Sequence, residues 1–385
     1  MQQHSFDRAL LHLVLLPGIG PAVVEKLLHQ LTYANFAQLY TCTKFDLIAW
    51  GLPERVAEKI VLGLADIRLL EDELERMEQH GIAFINAFHE EYPALLKHIH
   101  LPPLGLYVQG TLPLLYDRSL AVVGSRQANA YGKHVIDVML PPLVEQDWVI
   151  VSGGARGIDA FAHAATLAMK GKTIAVIGSG LLKPYPAQNG ALFERIAKEG
   201  GAVVSPFPLT MQALPNNFPA RNRIIAGMTR GALVVQAAAR SGALITAYAA
   251  LREGREVFAV PGSIFDPLSE GCHQLLAEGA HVAHSAAEVM RTYGVVGRLL
   301  VDNARTSEHR INEQACLPTA EITNEASTIP LLLRVCVKPQ SIDAILAHTS
   351  YSQQELYGQL WEYQVAGLIE ETSSGMWQTI VAAHQ

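Results

Sequence analysis

Six short apolar runs in the middle of the chain constrain its fold more than any other feature. From Leu120 onward they read "LAVVGS", "WVIVSG", "TIAVIGSG", "GAVVSPF", "ALVVQAA" and "EVFAVPG". Between them lie "YGKHVIDVMLPPLVEQ", "GIDAFAHAATLAMKG", "NGALFERIAKEG", "FPARNRIIAGMT" and "SGALITAYAALREG", which read as helices. A strand that is apolar at successive positions is covered on both faces. That requires a parallel sheet with right-handed crossovers. A last helix–strand–helix pattern, "GCHQLLAEGAHVAHSAAEVMRTYG", closes the block. The order predicts an α/β fold built on a doubly wound Rossmann-type parallel sheet.

The flanks follow other rules. Residues 1–85 predict an all-helical domain, in which "LPGIGPAVVEKLLHQL" and "WGLPERVAEKIVLGL" each place a glycine turn ahead of a helix. The acidic helix "LADIRLLEDELERMEQHG" then leads to the sheet domain, residues 86–297. Residues 298–327 are polar and patternless and read as a linker. In residues 328–385, Ser341 and Ser352 cap two predicted helices, and "LIEET" and "MWQTI" form a hairpin across "SSG". Helices followed by a hairpin give the winged-helix order.

A chain of 385 residues is long for one domain, which agrees with this division. The four cysteines, Cys42, Cys272, Cys316 and Cys336, are far apart and form no CxxC pair. Neither a disulfide framework nor a zinc site is expected, and a reducing cytoplasm suits them. "ALLHLVLLPGIG" is short, is interrupted by His12 and lacks a cleavage site, so it does not read as a secretory segment. No run reaches the length of about 20 apolar residues that spans a bilayer. A soluble cytoplasmic protein is the expectation.

Net charge is −7, but its distribution matters more than its sum. Residues 1–85 carry 7 Lys+Arg against 11 Asp+Glu, and residues 331–385 carry 2 against 5. Residues 118–260 reverse the balance with 15 bases against 8 acids. Within them, "FPARNRIIAGMTRGALVVQAAARSGALITA" holds four arginines and no acid. An arginine that only solubilises a helix usually has a carboxylate three or four residues away. Arg221, Arg223 and Arg240 lack one in this stretch, and the question is which anion they meet.

Ligands of such sheets bind beyond the carboxyl ends of the strands. "VVGSR" places Ser125 and Arg126 at the first of these ends, and "VSGGARGID" puts Gly153, Gly154 and Arg156 on a turn into a helix. Exposed amides at a helix start attract phosphate, and glycine lets the backbone come close. Ser241, Gly242 and Thr246 of "SGALIT" repeat the arrangement, and "FPARNR" adds Phe218, Arg221 and Arg223. Several such turns along one sheet edge suit an extended polyanion better than one nucleotide, with Phe218 as a stacking surface for a base.

Blander readings stand beside this one. "AVIGSG" lacks the full dinucleotide fingerprint. Asp159 reads as a helix-start acid, His163 as a packed helix residue, and Arg252 and Arg255 as solvent-face charges near Glu253 and Glu256. The site arginines also admit structural ion pairing. No nucleophile elbow, metal cluster or Walker sequence is present, so no cofactor, metal or catalytic residue is predicted.

The ordered set "GSRQANAYG", "SGGARGIDAFAH", "YPAQN", "FPARNRIIAG", "SGALITA" and "VFAVPG" resembles the DNA-processing protein A (DprA/Smf) family, from about Leu101 to Met290. The resemblance implies a non-enzymatic, dimeric protein that binds single-stranded DNA with little sequence preference, shields it, and helps load the recombinase RecA in natural transformation. It implies a helical N-terminal domain of the SAM or helix-hairpin-helix type and a C-terminal winged helix. It assigns DNA contact to Ser125, Arg126, Gly153, Gly154, Arg156, Phe218, Arg221 and Arg223, with Ser241 to Thr246 lining the same pocket. The chain departs from the pattern at Leu182, at Ser205–Pro206 and at Ala130. The alternative from another class is a nucleotide phosphoribohydrolase of the lysine-decarboxylase-like group, whose "PGGxGT" turn is absent here.

Overall fold

A computed structural model describes residues 2–112 and 118–294, together with 342, 344, 345, 356, 360, 369–371 and 377–379. Two compact units emerge, residues 1–307 and 308–385.

The first unit opens with five helices, α1 (Gln2–Leu15), α2 (Pro21–Leu28), α3 (Lys44–Ala49), α4 (Glu54–Ala65) and α5 (Ile67–His80). The first four enclose a small core of their own that includes Phe6, Leu27, Phe36, Leu47 and Ile60. Their two hairpin turns are tied to the opposite hairpin by lysines. Lys59 Nζ donates to the Pro17 carbonyl at 2.7 Å, and Lys26 Nζ donates to that of Gly51 at 2.9 Å.

Next come β1 (Ile82–Asn86), α6 (Ala94–Lys97) and β2 (Gly105–Gly110). The alternating block follows as β3 (Ser119–Val123), α7 (Ala130–Glu145), β4 (Val149–Ser152), α8 (Ile158–Ala168), β5 (Thr173–Val176), α9 (Gly190–Lys198) and β6 (Ala202–Ser205). It continues through α10 (Asn217–Gly227), β7 (Gly231–Val234), α11 (Gly242–Arg252), β8 (Glu256–Ala259), α12 (Glu270–Ala277), β9 (His281–Val282) and α13 (Ala286–Thr292).

The strands form one nine-stranded sheet in the order β1-β2-β6-β5-β4-β3-β7-β8-β9. The seven strands from β6 to β9 are parallel to one another, as the apolar runs predict. The all-parallel expectation needs one correction. β2 runs antiparallel to β6, and β1 antiparallel to β2, so two edge strands turn the sheet into a mixed one.

Side chains alternate between the two faces of the sheet. Leu120, Val122, Ile150 and Phe258 pack on one side with residues of α7, α8 and α13, and Ala121, Val123, Val151 and Val234 on the other with residues of α10, α11 and α12. The five central strands β3 to β7 are buried along their whole length. The helical segment joins this body through polar pins. Asn86 Nδ2 donates to Asp7 Oδ1 at 2.6 Å, and buried Glu73 accepts from the Leu209 amide at 2.8 Å.

In the second unit, β10 (Ile369–Glu371) and β11 (Trp377–Thr379) pair antiparallel, and the residues between them lie outside the described ones. Residues 342, 344, 345, 356 and 360 are helical, and Ile345, Leu356, Leu360 and Trp377 are buried. The linker, residues 298–327, and the rest of the predicted winged helix lie outside the described residues.

His163 on α8 has no solvent exposure. Thr173 Oγ1 donates to the Ile150 carbonyl at 2.7 Å, so its remaining role toward His163 Nδ1, also at 2.7 Å, is that of acceptor. Nδ1 therefore carries the proton of this contact, and Nε2 has no partner. Burial first, and the charge of Arg221 second, push its pKa down to about 3. The unfolded chain takes up this proton near pH 6.5, whereas the folded one resists it down to about 3. Its share of stability is complete above pH 6.5 and falls with decreasing pH by up to about 1.4 kcal/mol per unit. Urea unfolding from pH 7 to 4 should show that loss. His163→Asn, which keeps an N–H for Thr173, should flatten the profile.

Candidate nucleic-acid interface

Counted from β3, the chain adds β4, β5 and β6 on one side and then returns through α10 to place β7 on the other. The loops after β3 and β7 therefore part, and a crevice opens between them, as at other topological switch points. Here it is a cavity of about 480 Å³. The turn after β3 supplies Ser125 and Arg126, that after β4 Arg156, the first turn of α8 Asp159, helix α10 Arg221 and Asn222, and the start of α11 Ser241, Gly242 and Thr246. A narrow slot beside it is lined by Arg126, Gly153, Arg156, Tyr185, Phe218 and Arg221.

Arg221 is the most buried of the three arginines, only 4 % exposed. Its neighbour is Gly153: a Cβ built there would stand 1.4 Å from Arg221 Nη1, so any side chain would expel the guanidinium. Burial pulls the Arg221 pKa down to about 10, countered by Asp159 and assisted by Arg126, which still leaves it charged at neutral pH. Its Nε finds no hydrogen-bond partner. Burial pushes Asp159 up from the usual carboxylate range, opposed first by Arg221 and then by hydrogen bonds.

Those bonds change the meaning of the glycine turn. Asp159 Oδ2 accepts from the amides of Gly153 at 3.2 Å and Ala155 at 3.3 Å. Two amides expected to await a phosphate are thus already occupied by this carboxylate, and the positive field at this turn comes chiefly from guanidinium groups. Gly157 closes the turn at φ +76, where a Cβ would meet the Ser125 carbonyl at 2.2 Å. The Ser125 amide donates to the Gln236 carbonyl at 2.7 Å and its Oγ accepts from Gln127 N at 3.1 Å, so this residue holds the β3 and β7 loops together. Ser241 caps α11 by accepting from Ala243 N at 3.2 Å.

Phe218 is half-buried, and the guanidinium carbons of Arg126 and Arg221 stand 5.4 and 6.0 Å from its ring centre. It supports two cations before it supports a base. The open aromatic surface belongs to Tyr185, 47 % exposed and edge-on to Phe218 at 5.7 Å. Tyr185 lies within "YPAQN" after β5, a stretch without periodicity, and only the motif resemblance drew notice to it. Asp159 and Asn222 are further lining residues beyond the sequence-predicted set.

The structure brings together Ser125, Arg126, Gly153, Arg156, Phe218, Arg221, Ser241, Gly242 and Thr246 around the cavity and slot. It does not bring Gly154 or Arg223 there. Gly154 packs against Phe193, where a Cβ would come within 2.5 Å of the ring. Arg223 donates through Nη2 to the His100 carbonyl in the loop before β2. Among the described residues, no group of three or more His, Cys, Asp or Glu side chains is placed to hold a metal ion, and no helix is long and apolar enough to cross a membrane.

The family model described as DNA recombination-mediator protein A matches residues 83–294, more than half of the chain and nearly the whole sheet. The chain belongs to this DprA family. It is similar to Protein Smf of Escherichia coli K12, 37% identical over 316 residues and covering 82% of each chain. It is also similar to the DNA processing protein DprA of Streptococcus pneumoniae R6, 46% identical over 202 residues, 52% of this chain and 71% of that one. The X-ray structure of a Streptococcus pneumoniae DprA matches with a TM-score of 0.65 at 36% identity, covering 74% of this chain and 97% of the other. The DprA of Helicobacter pylori, whose structure concerns its binding of single-stranded DNA, matches with a TM-score of 0.50 at 26% identity over 57% of this chain and 96% of that one.

The close approach of Arg221 to Gly153 makes the two positions of this DprA-family cavity interdependent. Gly153→Ala should cost about 1–3 kcal/mol by overpacking against the guanidinium. The same change in an Arg221→Ala background should cost much less, a coupling of the size seen for touching residues. Thermal or urea unfolding of the four proteins in the cycle measures it, and additive losses would mean that the two positions do not touch.

Proposed function

We propose that this protein binds single-stranded DNA through the backbone, with little regard to sequence, and acts as a recombination mediator rather than an enzyme. The observation that carries the reading is the grouping of Arg126, Arg156 and Arg221 around one open cavity, with an exposed aromatic ring beside it. Guanidinium groups recognise phosphate, and an aromatic ring accepts any base because every base has a π-face. The single-strand binding described for the Helicobacter pylori relative supports the same use of the fold.

Within this reading the protein works as a homodimer and helps load RecA on the strand it covers. Residues 1–85 serve as a SAM or helix-hairpin-helix-like module, and residues 328–385 as a winged helix with a protein-contact or regulatory role. That last assignment rests on charge. The winged-helix segment carries 2 Lys+Arg against 5 Asp+Glu over residues 331–385, and its second predicted helix, "QQELYGQLWEYQVAG", has no base. A recognition helix that docks on duplex DNA has the opposite character.

Arg126→Ala removes an exposed cation and should weaken single-strand binding while leaving the fold intact. Loss of one phosphate contact should also shallow the log–log salt dependence by about 0.7. An unchanged slope in titrations at several salt concentrations would make Arg126 structural. Competition gel shifts should show single strands displacing duplex, and a duplex preference would overturn the reading. A nucleotide-hydrolysis assay beside them tests the non-enzymatic part.

Truncation at about residue 325 should retain most single-strand affinity. If the truncated protein folds and dimerises but loses nearly all binding, the winged helix is a principal DNA-binding element.

A further inference from the structure

We propose that the switch-point cavity is built for a phosphate dianion, and therefore takes a phosphomonoester in preference to a mid-strand phosphodiester. The phosphomonoester belongs either to a free nucleoside monophosphate or to a phosphorylated strand end. The inference rests on the single-strand reading and names the chemical form of phosphate that its deepest subsite takes.

Charge points to this first. The charged side chains lining the cavity are Arg126, Arg156, Arg221 and Asp159, a sum of three positive and one negative. A phosphomonoester brings about −1.5 to −2 at neutral pH, which matches that excess. A phosphodiester brings a single charge and leaves one guanidinium uncompensated in a partly desolvated site.

Geometry points the same way. Arg126 and Arg156 are exposed at the mouth, where a passing strand reaches them. Arg221 is 4 % exposed, and its Nε is buried without a partner. No protein group offsets that donor, so the buried guanidinium depends on nearby negative charge, and the part of it that lines the cavity faces the ligand's position. A mid-strand phosphate has two of its four oxygens committed to chain that must lead back out. A terminal phosphate has three free oxygens and enters end-on.

The far wall fits the same ligand. Helix α11 runs for 11 residues and points its N-terminus at the cavity through Ser241 and Gly242. Its dipole adds to the field of Arg221, although Ser241 already occupies the Ala243 amide. The cavity of about 480 Å³ exceeds what a phosphate needs. The remainder, walled by Val123, Ile225 and Leu268, has room for a sugar or base and lies within the range of about 300–1,000 Å³ usual for small-ligand sites.

The test uses the full-length protein and a thymidine oligonucleotide of about 20 residues, the scale of a single-strand site. Its affinity is compared with a 5′-phosphate, with a 3′-phosphate and with hydroxyls at both ends. A hydroxyl-ended strand two residues longer controls for added charge. In parallel, dTMP and thymidine compete against the labelled hydroxyl-ended strand. One additional charge-assisted hydrogen bond predicts about tenfold tighter binding of a phosphorylated end than of the longer control, or displacement by dTMP where thymidine fails. An end effect alone identifies the strand terminus as the source, and dTMP displacement alone identifies the free nucleotide. Arg156→Ala, a change at an exposed position, should abolish whichever preference is seen.

Equal affinity for all four strands together with no displacement by dTMP overturns the inference and leaves the single-strand reading standing. A preference that survives in Arg156→Ala overturns it too, because the variant removes the second positive charge of excess on which the choice of a dianion rests. Failure to bind any strand sinks the single-strand reading itself.

Discussion

Everything at the interface depends on keeping a guanidinium charged in a place with almost no water. Arg221 stays there because three conditions coincide. Gly153 offers no Cβ, Asp159 supplies a carboxylate within electrostatic reach, and the amides of Gly153 and Ala155 hold that carboxylate in place. Remove the carboxylate and the cation is buried alone, which proteins avoid at a cost of several kcal/mol. Add a methyl group at Gly153 and the cation has no room. The glycine turn after β4 therefore does indirectly what it is usually credited with doing directly. Its amides fix an aspartate, the aspartate helps keep an arginine charged, and the arginine is left lining the cavity.

The sheet determines where this happens. Strands β3 and β7 are neighbours in space but separated by three strands in sequence, so their loops leave in different directions. Ser125 bridges the gap through its amide, and Gln236, fully buried, ties the loop after β7 to Asn129 at the start of α7. Asn222 secures the opposite side by donating to the Gly242 carbonyl at 3.2 Å, which keeps α10 against the turn into α11. The arginines thus project from a frame whose backbone groups are bonded before any ligand arrives. Preorganisation of this kind lowers the ordering cost of binding.

Much of the fold was legible because uniformly apolar strands have one common solution, a parallel sheet covered on both faces. The two antiparallel edge strands escaped notice for a physical reason. "IAFIN" follows directly on a long acidic helix and "GLYVQG" is bounded by glycines, so neither stands out as a run of the β3 type. The site was legible at its strand ends, where Ser125, Arg126 and Arg156 fall. Inside α10, helix geometry decides the outcome. Phe218 and Arg221 are three residues apart and share a face, whereas Arg223 follows Arg221 by two and is carried to the other side, to the His100 carbonyl. That separation was present in the spacing itself. The partnership of Asp159 with the turn amides was not, because it depends on how closely the backbone folds over its own side chain.

An acidic protein with a locally positive cavity is not a contradiction once distance is considered. Screening limits an exposed charge to roughly 8–10 Å, so the acids of residues 1–85 act on their own surroundings. Two lysines of that segment, Lys26 and Lys59, are tied to the Gly51 and Pro17 carbonyls, which gives them structural work inside the helical hairpins. At the cavity the local sum is different, three guanidiniums against one carboxylate that burial weakens as an acid. Walls of low polarity concentrate the field of those groups at the mouth. Net charge governs how the whole molecule behaves in solution, and the potential at the cavity follows instead from the few charges within a Debye length of it.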